Sequence, residues 1–142
     1  MSITINAKER ARRKALAGQA HTQVARILPV EDADESSLML GYGGFFLQIT
    51  FSELHPLIAI CLARSLNRPC TAKDMRHVND FNLITAFGNH SVNTEAGCYS
   101  YKTAHWLDTE LTEERFMEIL SRSVDIAGRV YAKLAHETGG AA

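Results

Sequence analysis

The side chains in this sequence with the greatest potential for chemistry are a cysteine and several histidines in its second half. Cys98 could act as a thiol nucleophile if a base and an orienting acid lay beside it. The candidates for those two roles are His77, His90, His105, Asp80 and Asp108. Most proteins of similar composition contain such a trio, and no nucleophile turn accompanies Cys98. A cysteine-dependent enzyme is therefore an alternative, and the sequence favours a protein that is not an enzyme.

The histidines and cysteines also raise the question of a metal site. The six histidines show no H-x-x-x-H spacing, and the three cysteines (Cys61, Cys70 and Cys98) show no C-x-x-C spacing. We therefore expect neither a metal nor a cofactor. An odd number of cysteines without an N-terminal signal peptide favours the reducing cytoplasm.

A basic cluster near the N-terminus is the strongest local concentration of charge. Its members are Lys8, Arg10, Arg12, Arg13 and Lys14. On one helix they could follow a phosphate backbone, so a regulator that binds nucleic acid or an anionic ligand is an alternative function. The chain as a whole has a net charge of −1, and no aromatic side chains interleave the cluster to stack on bases. A solvated helix face with a Glu9–Arg13 pair is the simpler interpretation, so nucleic acid is not the partner that we favour.

Two asparagines lie one helical turn apart in the segment VNDFN. The side chains of Asn79 and Asn82 could together hold a neighbouring backbone or each other. Because buried amides must be hydrogen-bonded, we favour a structural role for the pair. Ligand binding by the two amides is the alternative.

Composition and pattern predict one α+β domain covering residues 1–142. The length is typical of a single domain, and 46% hydrophobic residues can fill one core. The longest apolar run, 57–63, is far shorter than the roughly 20 residues that cross a bilayer, so we expect no membrane association. The predicted order is α-βββ-α-ββ-α, with one antiparallel-rich sheet packed by helices. The segments are 7–28, 38–42, 45–51, 57–62, 71–87, 90–93, 98–105 and 112–138. Residues 1–6 and 138–142 are expected to be flexible.

Several local features carry specific expectations. The acidic stretch 31–35 predicts a loop, and Gly43 with Gly44 predicts a hairpin turn. The continuous apolar run 57–62 predicts a strand that is buried on both faces, with a buried helix as the alternative. Thr71 should cap the central helix, on which Met75, Val78, Phe81 and either Ile84 or Thr85 are available to face the sheet. Gly88 is expected to end that helix in the left-handed conformation.

The element order, together with the asparagine segment, resembles the YbjN-like proteins, also called bacterial sensory transduction regulators. The matching residues are Val78, Asn79, Phe81, Asn82, Tyr99, Tyr101 and the long amphipathic helix Leu111 to Leu134. The fold of that family is similar to that of type III secretion chaperones. The resemblance implies a bacterial, often dimeric, protein-binding module without enzymatic activity. It also makes Asn79, Phe81 and Asn82 a signature of the fold.

The preferred hypothesis is therefore an adaptor, regulator or chaperone-like module that binds a protein or peptide, with a homodimer as the candidate assembly. The first helix has a thin apolar stripe, which a partner could complete. The second face of the sheet carries Tyr42 or Phe46, which could accept an extended or helical segment. The candidate partner-binding residues are Leu16, Ala20, Val24, Tyr42 and Phe46.

Overall fold

The described residues form a six-stranded antiparallel sheet and three helices, which confirms the predicted α+β class. The computed structural model describes residues 5–107, 109 and 111–139. The helices are α1 (Ala7–Ile27), α2 (Ala72–Ile84) and α3 (Glu113–Gly139). The strands are β1 (Asp32–Ala33), β2 (Ser37–Tyr42), β3 (Phe45–Phe51), β4 (Leu57–Ser65), β5 (Gly88–Asn93) and β6 (Cys98–Trp106). Their order across the sheet is β1-β2-β3-β4-β6-β5.

Strand β1 was not expected, because it lies in the acidic segment that the sequence predicts as a loop. Asp32 and Ala33 pair with Met39 and Leu38 of β2 and extend the sheet by one short edge strand. A two-residue strand is too short to show an alternating pattern, and a short charged edge strand protects a sheet from pairing with other chains. The predicted flexible ends, 1–6 and 138–142, lie mostly outside the described residues, although Asn6 caps α1.

Alternation along the strands gives the sheet one face that the helices cover. The residues of this covered face that are almost fully buried are Leu38, Leu40, Leu47, Ile49, Phe51, Ile58, Ile60, Leu62, Tyr99 and Tyr101. They form one core with buried residues of all three helices. Strand β3 shows the predicted alternation, with Phe45, Leu47, Ile49 and Phe51 buried.

Strand β4 corrects the prediction of a strand buried on both faces. Ile58, Ile60 and Leu62 are buried, but the intervening Ala59 is exposed and Cys61 is half-buried. A continuous apolar run resembles a doubly buried strand even when its outward side chains are as small as alanine and cysteine. The second face of the sheet, which we call the open face, is therefore accessible at its centre.

Helix α2 begins as predicted and ends earlier. Thr71 and Asp74 form the predicted capping box. The helix ends at Ile84 with Thr85 as its C-cap, so the expected end at Gly88 is wrong. Gly88 instead begins β5, where a Cβ atom would collide with the ring of Tyr101 and the carbonyl of Lys102. A close approach between strands, rather than a left-handed φ, requires the glycine here.

The two terminal helices pack against the same core. The buried residues of α1 are Ala17, Ala20 and Val24, whose small size lets the helix lie close to the sheet and α3. The buried residues of α3 are Phe116, Leu120, Ser123, Ala127, Val130 and Leu134, which follow the predicted helical spacing. Gly43 and Gly44, with φ of 59° and 84°, make the predicted hairpin turn between β2 and β3.

Candidate partner-binding surfaces

The stripe on α1 that was predicted to meet a partner is used within the chain itself. Ala20 and Val24 are 2% and 0% exposed and belong to the core, while Leu16 is half-buried beside it. A thin stripe of small residues looks the same in sequence whether it packs on its own sheet or on another protein. The prediction that Ala20 and Val24 contact a partner is therefore wrong for this folded chain.

Of the two aromatic residues proposed for the second sheet face, only Phe46 lies there. Tyr42 pairs with Phe45 across the hairpin and shares the covered face, where it is half-buried. Phe46 points to the opposite face and is 52% exposed. Side chains alternate along each strand, so the neighbouring residues Phe45 and Phe46 lie on opposite faces of the sheet.

The open face has small side chains along β4 (Ala59, Cys61 and Ala63), longer polar side chains (Gln48 and Lys102) beside them, and a large aromatic residue at each end. In the strand register Phe46 lies opposite Ala63, Gln48 opposite Cys61, and Thr50 opposite Ala59. Strand β6 continues these rows with Ser100, Lys102 and Ala104. Trp106, which is 70% exposed, lies opposite Leu57 at the far end. Within the part of the chain that the structure describes, none of the helices covers this face.

The sequence contains a signal for Trp106 as a surface residue, although Trp106 is not among the predicted partner-binding residues. It is one position out of phase with Tyr99, Tyr101 and Thr103, which are buried. Strand parity alone therefore places the tryptophan on the other face. An exposed tryptophan is uncommon in a protein surface that contacts only water, and it is enriched in surfaces that bind partners.

Helix α2 carries a second exposed apolar surface. Leu83 and Ile84 are 80% and 81% exposed, and Phe87 just beyond the helix is 80% exposed. Of the residues available to face the sheet, Val78 is buried and Phe81 and Thr85 are half-buried, whereas Met75 is 52% exposed and Ile84 takes the outward position. A cleft of about 480 Å³ opens beside Phe87, between β6 and α3.

The two asparagines of α2 have different environments. Asn82 is half-buried and binds the main chain of His90 with both atoms of its amide. Asn79 is exposed, so the expectation that the two amides act together at a buried site is wrong for this residue. Phe81 packs edge-on to the ring of His90. The segment thus attaches α2 to β5 through Phe81 and Asn82.

His90 is held in a closed hydrogen-bond network rather than in a catalytic arrangement. Thr85 donates its hydroxyl to the carbonyl of Phe81 at 2.8 Å, so its oxygen accepts from Nε2 of His90 at 3.0 Å. The remaining nitrogen, Nδ1, then accepts from the hydroxyl of Tyr99 at 2.7 Å. Burial lowers the pKa of His90 below its usual 6.5, and the ring is neutral.

Among the residues that the structure describes, the thiol of Cys98 has no hydrogen bond to a histidine or to an acid. The thiol of Cys98 lies 3.5 Å from its neighbour's carbonyl, the main-chain oxygen of Tyr99. Both ring nitrogens of His90 are engaged elsewhere, and Nε2 of His105 lies 3.1 Å from the hydroxyl of Thr103. Asp108, one of the two candidate acids, lies outside the described residues. Burial raises the pKa of the Cys61 and Cys70 thiols, which disfavours the reactive thiolate.

The basic cluster lies at one end of the sheet. Glu9 accepts hydrogen bonds from Arg12 and Arg13, and these hold the pKa of Glu9 at about 2. Arg13 also donates to the carbonyl of Leu54, in the loop between β3 and β4, at 2.7 Å. Lys8, Arg10 and Lys14 are exposed. The described residues contain no group of three metal-ligating side chains and no helix that is long and apolar enough to span a membrane.

Comparison with solved structures identifies the class of fold. The chain is similar to YbjN from E. coli, described as a candidate transcription regulator, with a TM-score of 0.61, 12% identity and coverage of 96% of this chain and 97% of that one. It is also similar to the chaperone SchA, solved in complex with HopA1, with a TM-score of 0.56, 7% identity and coverage of 94% and 99%.

A third similar structure is SpcS, from the ExoT–SpcS complex of Pseudomonas aeruginosa. The TM-score is 0.54, the identity is 17%, and the match covers 82% of this chain and 96% of that chain. No protein-family model matches the sequence, and no curated protein matches it significantly. The fold is thus the one shared by YbjN and type III secretion chaperones, as the sequence resemblance implies.

Proposed function

We propose that this chain is a non-enzymatic module that binds a protein or peptide on the open face of its sheet. The observation that carries the proposal is the exposed pair Phe46 and Trp106 at the two ends of the open face, with the small side chains of β4 between them. Aromatic residues supply much of the binding energy in protein interfaces, and small residues between them let a partner's backbone or helix approach the sheet. An adaptor, regulator or chaperone-like role would use such a surface.

The solved structures of the same fold support a protein partner. SchA is described as part of a chaperone–effector complex, and SpcS is solved together with ExoT. The three cysteines of this chain are free thiols, which is compatible with the cytoplasmic location expected from the sequence.

The test is capture of partners by the full chain and by a variant with an altered open face. Phe46→Ser with Trp106→Ser should abolish retention of a protein that the native chain retains, because both anchors are lost. The matched control is Met75→Ser, which removes an exposed apolar residue from α2 outside the open face. A partner that is purified and then binds all three forms with the same Kd would contradict the proposed surface.

We also propose that α2 is the contact between two copies of the chain in a homodimer. Leu83, Ile84 and Phe87 form an apolar surface whose exposure to water would be unfavourable in a monomer. Arg76 and Asp80 lie on the same helix, so an antiparallel pairing of two copies can oppose their charges. Light scattering should give twice the monomer mass, and Leu83→Ser with Ile84→Ser should return the protein to a monomer. A native protein of monomer mass at all concentrations would contradict the dimer.

The alternative functions have less support. A nucleic-acid or anion regulator would depend on the basic residues of α1, of which Arg12 and Arg13 already contact Glu9. It predicts binding to DNA or RNA that weakens steeply with salt and disappears when residues 1–15 are removed. A cysteine enzyme predicts that Cys98 reacts with iodoacetamide faster than Cys61 and Cys70.

A further inference from the structure

The end of the sheet at which β3 turns into β4 brings together charge and apolar surface. The connecting loop carries Leu54, which is 65% exposed. On one side Arg13 of α1 donates to the carbonyl of Leu54 at 2.7 Å. On the other side Leu107 donates its backbone N–H to the carbonyl of Pro56 at 2.6 Å, which fixes the adjacent Trp106. We call Leu54, Trp106 and the basic residues of α1 the sheet-end surface.

The charge of the sheet-end surface differs from that of the rest of the chain. Residues 7–14 contain five basic residues and one acidic residue, although the whole chain has a net charge of −1. Glu9 neutralises part of this charge through Arg12 and Arg13. Arg10 and Lys14 are exposed on the same two turns, and Glu53 is the acidic residue of the adjacent loop. The sheet-end surface therefore combines a net positive charge on α1 with two exposed apolar side chains, Leu54 in the β3–β4 loop and Trp106 on the open face.

We infer that the protein partner docks here through an acidic segment that also carries apolar side chains. This inference rests on the proposed function and specifies the chemistry of the partner. The apolar side chains would lie on Leu54 and Trp106, and the carboxylates would face Arg10 and Lys14. The segment would continue from Trp106 along the open face towards Phe46, because Trp106 belongs to both surfaces. Complementary charge would raise the association rate and fix the direction in which the segment lies.

A nucleic acid or an anionic membrane would also be attracted by positive charge, but each fits this surface less well. A single tryptophan at the edge of a sheet does not provide the row of stacking platforms that single-stranded nucleic acids use. Stable attachment to a membrane requires a larger inserted apolar surface or a lipid anchor in addition to the basic residues. A protein segment needs only a few anchors and complementary charge.

Trp106 is the only tryptophan in the chain, so its fluorescence reports directly on this surface. The probe is a synthetic peptide without tryptophan that contains leucine and phenylalanine interspersed with aspartate and glutamate. The control peptide has serine in place of the leucine and phenylalanine. The expected result is a blue shift of the Trp106 emission with the first peptide and much weaker binding of the second. Phosphatidylserine vesicles and single-stranded oligothymidine serve as the competing classes of ligand.

The charge requirement is tested with two double variants of the full chain. Arg10→Gln with Lys14→Gln should weaken binding of the acidic apolar peptide by about fivefold at low salt, and added salt should abolish the difference. Arg122→Gln with Arg129→Gln removes the same charge from α3, where both arginines are exposed, and should change the affinity less than twofold. Glu53→Gln should strengthen binding.

Three results would overturn the inference. They are an unchanged Trp106 emission with the acidic apolar peptide, equal weakening by the two double variants, and a response to vesicles or oligothymidine alone. The proposed function can be judged separately. A partner whose binding depends on Phe46 and not on Arg10 and Lys14 would leave the protein-binding module in place and overturn only the acidic segment.

Discussion

Asn82 and His90 are joined by two hydrogen bonds that replace the strand which β5 lacks on its outer edge. The amide oxygen of Asn82 accepts from the N–H of His90 at 2.7 Å, and its amide nitrogen donates to the carbonyl of His90 at 2.9 Å. A side-chain amide has the donor and the acceptor that a neighbouring peptide group would have offered. This one residue therefore satisfies an edge-strand residue that is itself 3% exposed.

Replacing Asn82 by alanine should destabilise the protein strongly. The change leaves the buried N–H and C=O of His90 without partners, so we expect the free energy of unfolding to fall by about 2–3 kcal/mol. Urea denaturation followed by circular dichroism measures this change. Asn79→Ala is the matched control, because Asn79 is exposed on the same helix, and it should change stability by less than about 0.5 kcal/mol. Equal effects of the two substitutions would contradict the role assigned to Asn82.

The neutral state of His90 should make stability depend on pH near neutrality. Burial lowers the pKa of His90 in the folded protein. At pH values between that lowered pKa and about 6.5, the unfolded chain therefore binds more protons than the folded chain. The free energy of unfolding should therefore fall as the pH is lowered from 7.5 to 5.5, by at most about 1.4 kcal/mol per pH unit from this group. Urea titrations at several pH values measure the slope.

The contribution of His90 to that slope can be isolated with two variants. His90→Phe cannot titrate, so its stability should be lower at pH 7.5, where Tyr99 and Thr85 lose their partner, but should vary less with pH. His136→Gln removes an exposed histidine of α3 and should keep the native slope. If the free energy of unfolding of His90→Phe varied with pH as steeply as that of the native chain, the pH dependence would arise from another group.

How far the sequence predicts this fold depends on the strength of each local pattern. The alternation of Phe45, Leu47 and Ile49 and the spacing of Phe116, Leu120 and Ala127 predict β3 and α3, since burial imposes those periods. The two residues of β1 are too few to have a period. The last residues of α2 are apolar yet exposed, so neither the end of the helix nor its outer surface could be read from hydrophobicity.

The same reasoning applies to the candidate surfaces. Phe46 could be predicted because it alternates with two buried neighbours, and the parity of β6 would have placed Trp106 on the same face. Ala20 and Val24 could not be assigned, since a stripe of small residues packs equally well on its own sheet and on a partner. The contact between Arg13 and Leu54 joins residues 41 positions apart, and no local pattern encodes a contact at that separation.

The ion pair between Arg68 and Asp74 should be the most important one among the described residues. Arg68 contacts both carboxylate oxygens, at 2.6 and 3.0 Å, and also donates to the carbonyl of Leu134 at 3.2 Å, so it connects the start of α2 to α3. Arg68→Met should lower the free energy of unfolding by about 3 kcal/mol, because Asp74 is left buried and unpaired. As a control, Arg129→Met breaks an exposed ion pair with Asp125 and should change the free energy of unfolding by less than about 0.5 kcal/mol.

The same pair predicts sensitivity to acid. Hydrogen bonds from Arg68, the largest cause, lower the pKa of Asp74 from 3.8 to about 2. Its contribution of roughly 2 kcal/mol is complete above pH 3.8 and is lost as the pH falls towards 2, because the unfolded chain takes up the proton first. Asp74→Asn should remove this component from the acid unfolding curve. An unchanged curve would contradict the assignment.

Two glycine substitutions should act in opposite directions. In Gly88→Ala the new Cβ would meet the ring of Tyr101 and the carbonyl of Lys102, and the strands cannot separate without breaking the pairing of β5 with β6. We therefore expect the free energy of unfolding to fall by about 2–3 kcal/mol.

Gly18 lies within α1 with no atom within 4 Å of an added Cβ, so Gly18→Ala should stabilise the helix by up to about 1 kcal/mol. Thermal unfolding of both variants, measured beside the native chain, checks the signs. Stabilisation by Gly88→Ala would show that the contact between β5 and Tyr101 is looser than described, and destabilisation by Gly18→Ala would show that this part of α1 has a closer neighbour.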